Sequence, residues 1–135
     1  MTAELQSPSA RRPWAAYVLS ALPVLFFLFD GIIHLLKPAP VAQAFAQLGF
    51  PLDVSVTLGV LELLCVVLYV LPRTSLLGAV LFTGYLGGAI AANLRVANPL
   101  FSHTLFPIYV AILIWLGLYL RDRRLRALFP VALAE

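Results

Sequence analysis

Four runs of apolar residues, each about as long as a lipid bilayer is thick, constrain what this chain can fold into more than any other feature. A spanning helix needs about 20 mostly apolar residues. The windows at about 14–36, 52–71, 76–94 and 105–120 meet that requirement. Short breaks rich in turn-forming residues separate them: Lys37-Pro38-Ala39-Pro40, Pro72-Arg73-Thr74 and Asn98-Pro99. Within the runs the apolar residues occupy every face, as in helices that meet lipid and one another. Composition agrees, since 62% of the 135 residues are hydrophobic and only 11% charged, against roughly 25% charged in a soluble domain. A soluble fold of this size buries only about two thirds of the surface its chain could expose, too little to hide so much apolar area. The expected fold is therefore all-α, an integral membrane four-helix transmembrane bundle. One domain is expected over about 13–128, between a disordered N-terminal tail, 1–12, and a C-terminal tail, 129–135.

The net charge of +3 reads as membrane orientation, because no basic stripe interleaved with aromatics occurs in a polar context. Nucleic acid is excluded as a partner on that ground. Cys65 is the one cysteine, which rules out an internal disulfide or a C-x-x-C redox pair. Residues Val41 to Phe50 form an Ala-rich amphipathic stretch ending near Gly49, expected as a short interfacial helix between the first two spans. The first apolar run is not expected to be a cleaved signal peptide. It is longer than the roughly 7–15 residues of a signal core, and it carries Asp30 and His34.

Orientation follows from the basic residues. With four spans both ends of the chain lie on one side, which collects Arg11, Arg12, Arg73, Arg121, Arg123, Arg124 and Arg126, while the other side has Lys37 and Arg95. The expectation is a multi-pass protein of the bacterial inner membrane with both termini cytoplasmic. Trp14, Tyr17, Tyr69 and Tyr119 are expected at the cytoplasmic boundary as interfacial anchors. The basic run Arg121-Asp122-Arg123-Arg124-Leu125-Arg126 reads as a topology signal and headgroup anchor. Two small-residue stripes, Gly84, Gly88, Ala92 and Ala79, Thr83, Gly87, Ala91, are expected to let the third span approach its neighbours closely.

Ionisable residues inside apolar spans are costly, and suggest function by default. Asp30 and His34 are four apart and share a helix face. They are open to reading as a salt bridge, a proton relay, part of a metal site, or an ion pair that only orients the helix end. Glu62 lies near the middle of the second span, on a stripe with Cys65 and Tyr69. It suits proton handling or a polar headgroup, or simply a hydrogen bond to a neighbouring helix. Asn93 and Arg95 end the third span on roughly opposite faces. Arg95 either snorkels to the interface or turns inward as counter-ion of Asp30 or Glu62. His103 sits in the connection before the fourth span, where a solvated loop histidine is the plain alternative. With the orientation above, these residues gather in the outer half of the bundle, and one polar pocket around Glu62 is expected there. No H-x-x-x-H or similar spacing is present, so no metal ligands are assigned.

The segments Gly31-Ile32-Ile33-His34, Leu58-Gly59-Val60-Leu61-Glu62-Leu63, Leu71-Pro72-Arg73-Thr74 and Gly87-Gly88-Ala89-Ile90-Ala91, with the run from Pro99 to Pro130, resemble the DoxX-like family of small bacterial membrane proteins. The resemblance covers nearly the whole chain beyond the tail. It implies a four-helix membrane bundle in which His34, Glu62, Arg95 and His103 belong to the family pattern. The position of Asn93 is often a histidine in relatives, so Asn there weakens readings that need that histidine. The family takes its name from a subunit of a quinone-linked membrane oxidoreductase. The implied function is an accessory subunit of a membrane redox system, more non-catalytic than enzymatic, with quinone as its cofactor candidate. Its partners would be the bilayer and a membrane or periplasmic redox protein. Two alternatives stand beside it. One is a small proton-coupled transporter or ligand-binding membrane protein, which would need a homo-oligomer. The other is a structural or assembly subunit without chemistry.

The charge count makes one direct prediction. A reporter fused after Glu135 is expected to be active in the cytoplasm, and activity confined to the periplasm overturns the orientation.

Overall fold

The computed structural model describes residues 13–130, so the expected N-terminal tail and residues 131–135 of the C-terminal tail lie outside it. The described residues are helical with no strand. They form α1 (Pro13–Leu36), α2 (Ala39–Leu48), α3 (Val54–Val70), α4 (Ser75–Arg95), a π-helical turn (Leu100–Thr104), α5 (Phe106–Arg121) and α6 (Arg123–Leu128). Helices α1, α4 and the run Leu100–Arg121 are long and apolar enough to cross a membrane. Helix α3 has 17 residues, about 25 Å at 1.5 Å per residue. It is shorter than the expected 52–71 because Leu52 and Asp53 belong to a turn, with Val54 N–H on the Pro51 carbonyl and Ser55 N–H on that of Leu52. Asp53 does not cap α3 with its side chain. It pairs with Lys37 at 3.1 Å instead.

The four long helices pack as a ring in the order α1, α3, α4, α5 and back to α1, each antiparallel to its ring neighbours. Phe27, Tyr69, Phe82, Ile114 and Leu118 fill the middle, where Phe27 and Phe82 stack at 4.5 Å between centroids. Glycines set the closest approaches, but not the expected ones. A Cβ on Gly117 would lie 2.6 Å from Ser20 Oγ and 2.8 Å from Ser20 N, which brings α5 hard against α1. A Cβ on Gly78 would overlap the Tyr69 backbone, which closes the α3–α4 hairpin. Gly84, Gly87 and Gly88 face open space instead. The small stripe Gly84, Gly88, Ala92 lines a cavity rather than a helix contact, and this corrects the packing expectation. Small residues permit close approach, but they leave a gap where no neighbour takes it up.

The end of the bundle holding Pro13 and Arg121 is tied down by polar contacts. Tyr69 is fully buried, and its hydroxyl donates to the Ile114 carbonyl at 2.7 Å. It is therefore a core residue and not the interfacial anchor expected of it. Trp14 and Tyr17 are exposed, as anchors would be. The basic run folds back on helix ends. Arg121 donates to the Tyr69 carbonyl at 2.8 Å and lies 4.6 Å from the Tyr69 ring centroid. Arg124 donates to the Pro72 carbonyl at 2.6 Å, and Arg126 to those of Tyr119 and Leu120. The last carbonyls of a helix lack internal partners, and cations are favoured there. Arg121 and Arg126, read as headgroup anchors, thus cap α3 and α5, and Arg124 holds the turn that follows α3. Asp122 caps α6 by accepting the Arg124 N–H at 2.8 Å, and the Arg124 side chain holds its carboxyl below the ordinary range.

Gly117→Ala is expected to destabilise the bundle by about 1–3 kcal/mol, the usual range for overpacking. Gly87→Ala enters open space and is expected to be neutral or slightly stabilising, since Ala is the better helix former. Unfolding of both variants in detergent, followed by circular dichroism, checks the pair.

Candidate functional site

Gly59 is where the site begins. A Cβ there would lie 2.8 Å from the Gly31 carbonyl and 2.9 Å from His34 Cβ, so α1 and α3 cross almost backbone to backbone. The crossing is fastened by Ser55, whose buried hydroxyl donates to the His34 carbonyl at 2.7 Å. One turn beyond Gly59 along α3, Glu62 then meets His34, with Nδ1 3.0 Å from Oε2. From the other side Tyr85 of α4 donates its hydroxyl to Glu62 Oε1. Glu62 is fully buried, and its two oxygens are each satisfied by a different helix.

Asp30 is the looser member. Its Oδ2 lies 3.9 Å from His34 Nδ1, so the pairing expected from their spacing along α1 is secondary to that of His34 with Glu62. One ligand-type atom from each of Asp30, His34 and Glu62 lies within 4.8 Å of the others. With Nδ1 shared with Glu62, the free nitrogen of His34 is Nε2.

Asp30, His34 and Tyr85 face a cavity of about 490 Å³ in the half of the bundle remote from Pro13 and Arg121. Its walls are largely apolar and aromatic, with Phe26 and Phe27 from α1, Phe106 from α5, and Gly84 and Gly88 from α4. Helix α2 covers one end with Phe45 and Leu48, and the buried Phe45 ring stands edge-on to His34 at 5.5 Å. The short helix expected between the first two spans is present. It starts at Ala39 rather than Val41, since Pro is tolerated in a first helical turn, and ends in a left-handed Gly49 with φ 72°.

The remaining residues singled out from the sequence divide. Asn93 lines the cavity, donates to the Ala89 carbonyl at 2.9 Å and accepts from Asn98 at 2.7 Å. His103 sits in the π-helical turn, also on the cavity, with Nδ1 2.8 Å from Ser102 Oγ. Arg95 is exposed at the end of α4 and does not pair with Asp30 or Glu62. It donates to the Leu48 carbonyl and lies 5.6 Å from the Phe50 ring centroid, tying the end of α4 to the α2–α3 connection. Glu62 is not on the cavity wall but behind it, holding the two residues that are. Tyr85 was missed by sequence reasoning. Its signal was a phenol inside an apolar run, seven residues after Gly78 as Glu62 is seven before Tyr69, so the hairpin that joins Gly78 to Tyr69 also joins Tyr85 to Glu62.

An apolar helical bundle with a buried acid–imidazole–phenol cluster against an aromatic cavity defines a small α-helical membrane protein with a ligand-sized chamber. The model of the DoxX-like family matches residues 18–117, and the chain belongs to that family. No curated protein and no solved structure matches it.

Deleting only the Tyr85 hydroxyl leaves a buried carboxylate oxygen without its donor. Tyr85→Phe is therefore expected to destabilise the protein by about 1–3 kcal/mol. His103→Gln, at an exposed position, is expected to change stability by less than about 0.5 kcal/mol. Equilibrium unfolding in mixed micelles measures both.

Proposed function

We propose that the protein is an accessory, ligand-holding subunit of a membrane redox system, with a quinone-type molecule seated in the aromatic cavity. The observation that carries this reading is the His34–Glu62–Tyr85 arrangement at the wall of that cavity. Small-molecule sites are mostly apolar chambers of about 300–1,000 Å³ with a few placed polar groups, and this one is about 490 Å³. A quinone head is a flat ring with two opposed carbonyl acceptors. The donor set suits it. His34 lines one wall with its imidazole, and Asn93 keeps one amide N–H beyond its bond to Ala89. His103 adds an imidazole. The phenylalanines offer stacking faces, and the apolar walls suit a hydrocarbon tail. When bound, such a group supplies two-electron, two-proton carrier chemistry. Glu62 acts as a positioning residue, holding His34 and Tyr85 without reaching the cavity itself.

Membership of the DoxX-like family supports the same reading, as does the charge distribution, which favours the bacterial inner membrane with both ends cytoplasmic and the cavity in the outer half. Electrons would be exchanged with a partner protein in or beside the membrane.

The test is the content of lipid-soluble ligand after gentle purification, identified by mass spectrometry. Wild-type protein is expected to retain quinone, and His34→Gln and Glu62→Gln to lose most of it. Equal quinone in all three, or none in the wild type, contradicts the proposal.

A further inference from the structure

The cluster at the cavity wall has a charge problem that hydrogen bonds alone do not solve. Asp30 and Glu62 are two carboxylates beside a single histidine, and among the described residues no lysine or arginine pairs with either. Buried charges in proteins are paired or bind metals. We propose that Asp30, His34 and Glu62 form a binding site for one divalent first-row transition metal ion, of the zinc, manganese or iron type. This stands apart from the quinone reading and does not depend on it.

Geometry comes first. Metal–ligand bonds of about 2.0–2.2 Å set neighbouring ligand atoms roughly 3.0–3.5 Å apart. His34 Nδ1 and Glu62 Oε2 already stand 3.0 Å apart. Asp30 Oδ2 is 3.9 Å from the same nitrogen, and its side chain is 36% exposed, so it has room to close the remaining few tenths of an ångström. Charge follows. Two carboxylates and a neutral imidazole balance a dication, giving a neutral group in apolar surroundings. The ion is bound at Nδ1 by the neutral imidazole, which keeps its one proton on Nε2, and a proton displaced from Nδ1 of the imidazolium leaves to water through the cavity.

The surroundings have the character of an outer shell. Tyr85 donates to the oxygen of Glu62 that His34 does not contact, and this fixes the carboxylate plane. Ser55 fixes the backbone at His34. Such partners orient ligands in metal sites and are as much a part of them as the ligands. Asp30 and His34 both line the cavity, so positions not taken by protein face a space that a small molecule can enter. One nitrogen with two carboxylate oxygens selects transition metals over magnesium or calcium, which prefer all-oxygen sites.

The experiment uses the full-length protein in mild detergent, stripped with a chelator and reloaded with Co2+ or Zn2+. Bound cobalt is followed by its visible absorption and bound zinc by mass spectrometry. About one metal per chain is expected, unaffected by a 100-fold excess of Mg2+. Asp30→Asn and His34→Gln are expected to weaken binding by more than about 100-fold, and Tyr85→Phe by about 10-fold, as for an outer-shell partner. Gly87→Ala, outside the cluster and its cavity, is expected to bind like wild type. Fewer than about one metal per ten chains after loading overturns the proposal, as does wild-type affinity in Asp30→Asn. Asp30→Asn changes a partly exposed side chain and keeps the test decisive if His34→Gln fails to fold.

Discussion

A carboxylate with no solvent exposure, set among helices that are apolar on nearly every face, must be answered from inside the protein. Glu62 is that carboxylate. His34 of α1 takes one oxygen and Tyr85 of α4 the other, so one side chain links three of the four long helices. Much else follows from that link. The glycine crossing at Gly31 and Gly59 brings His34 within reach. The tight turn at Gly78 sets the hairpin register that delivers Tyr85. In lipid no hydrophobic effect pulls helices together, so packing and interhelical hydrogen bonds have to do it. The polar link therefore serves assembly and site at once.

The bundle is built differently at its two ends. Toward Pro13 and Arg121 it is closed, with Gly117 against Ser20, Tyr69 bonded across to α5, and Arg121 and Arg126 on the carbonyls that end α3 and α5. Toward Leu36 and Leu100 the small residues of α4 have no close neighbour, and the space becomes the aromatic cavity covered by α2. Arg95 holds that cover through the Leu48 carbonyl. The rigid end thus fixes helix positions so that a chamber can persist at the other.

The architecture was legible because apolar length is a strong signal: the helices fall within two or three residues of the windows read from composition. The depth of Glu62 was legible, since an acid in mid-run needs a partner, but its company was not: the counter-ion considered for it was Arg95, and the partner is His34. Two kinds of information were not. Spacing along one helix favoured Asp30 for His34, but the partner at 3.0 Å comes from another helix, and which face meets which depends on the glycine crossings. Small residues were also ambiguous. Gly59, Gly78 and Gly117 mark contacts while Gly84 and Gly88 mark a void, and nothing local separates the two cases. Arginine was equivocal for a like reason, since a guanidinium near a helix end can face a lipid headgroup or the last carbonyls of a neighbouring helix.

The central claim is that His34 and Glu62 act as a coupled pair in the apolar interior, and a double-mutant cycle addresses it most directly. Unfolding free energies of the wild type, His34→Gln, Glu62→Gln and the double variant would be measured in the same mixed micelles. Interhelical hydrogen bonds in membrane proteins couple by about 0.6 kcal/mol on average and up to about 1.7, and those involving charged groups lie at the strong end. A coupling energy of about 1–2 kcal/mol is predicted. Additivity of the two single variants within about 0.3 kcal/mol would contradict the account, because it would mean that the buried acid is held by something other than this histidine.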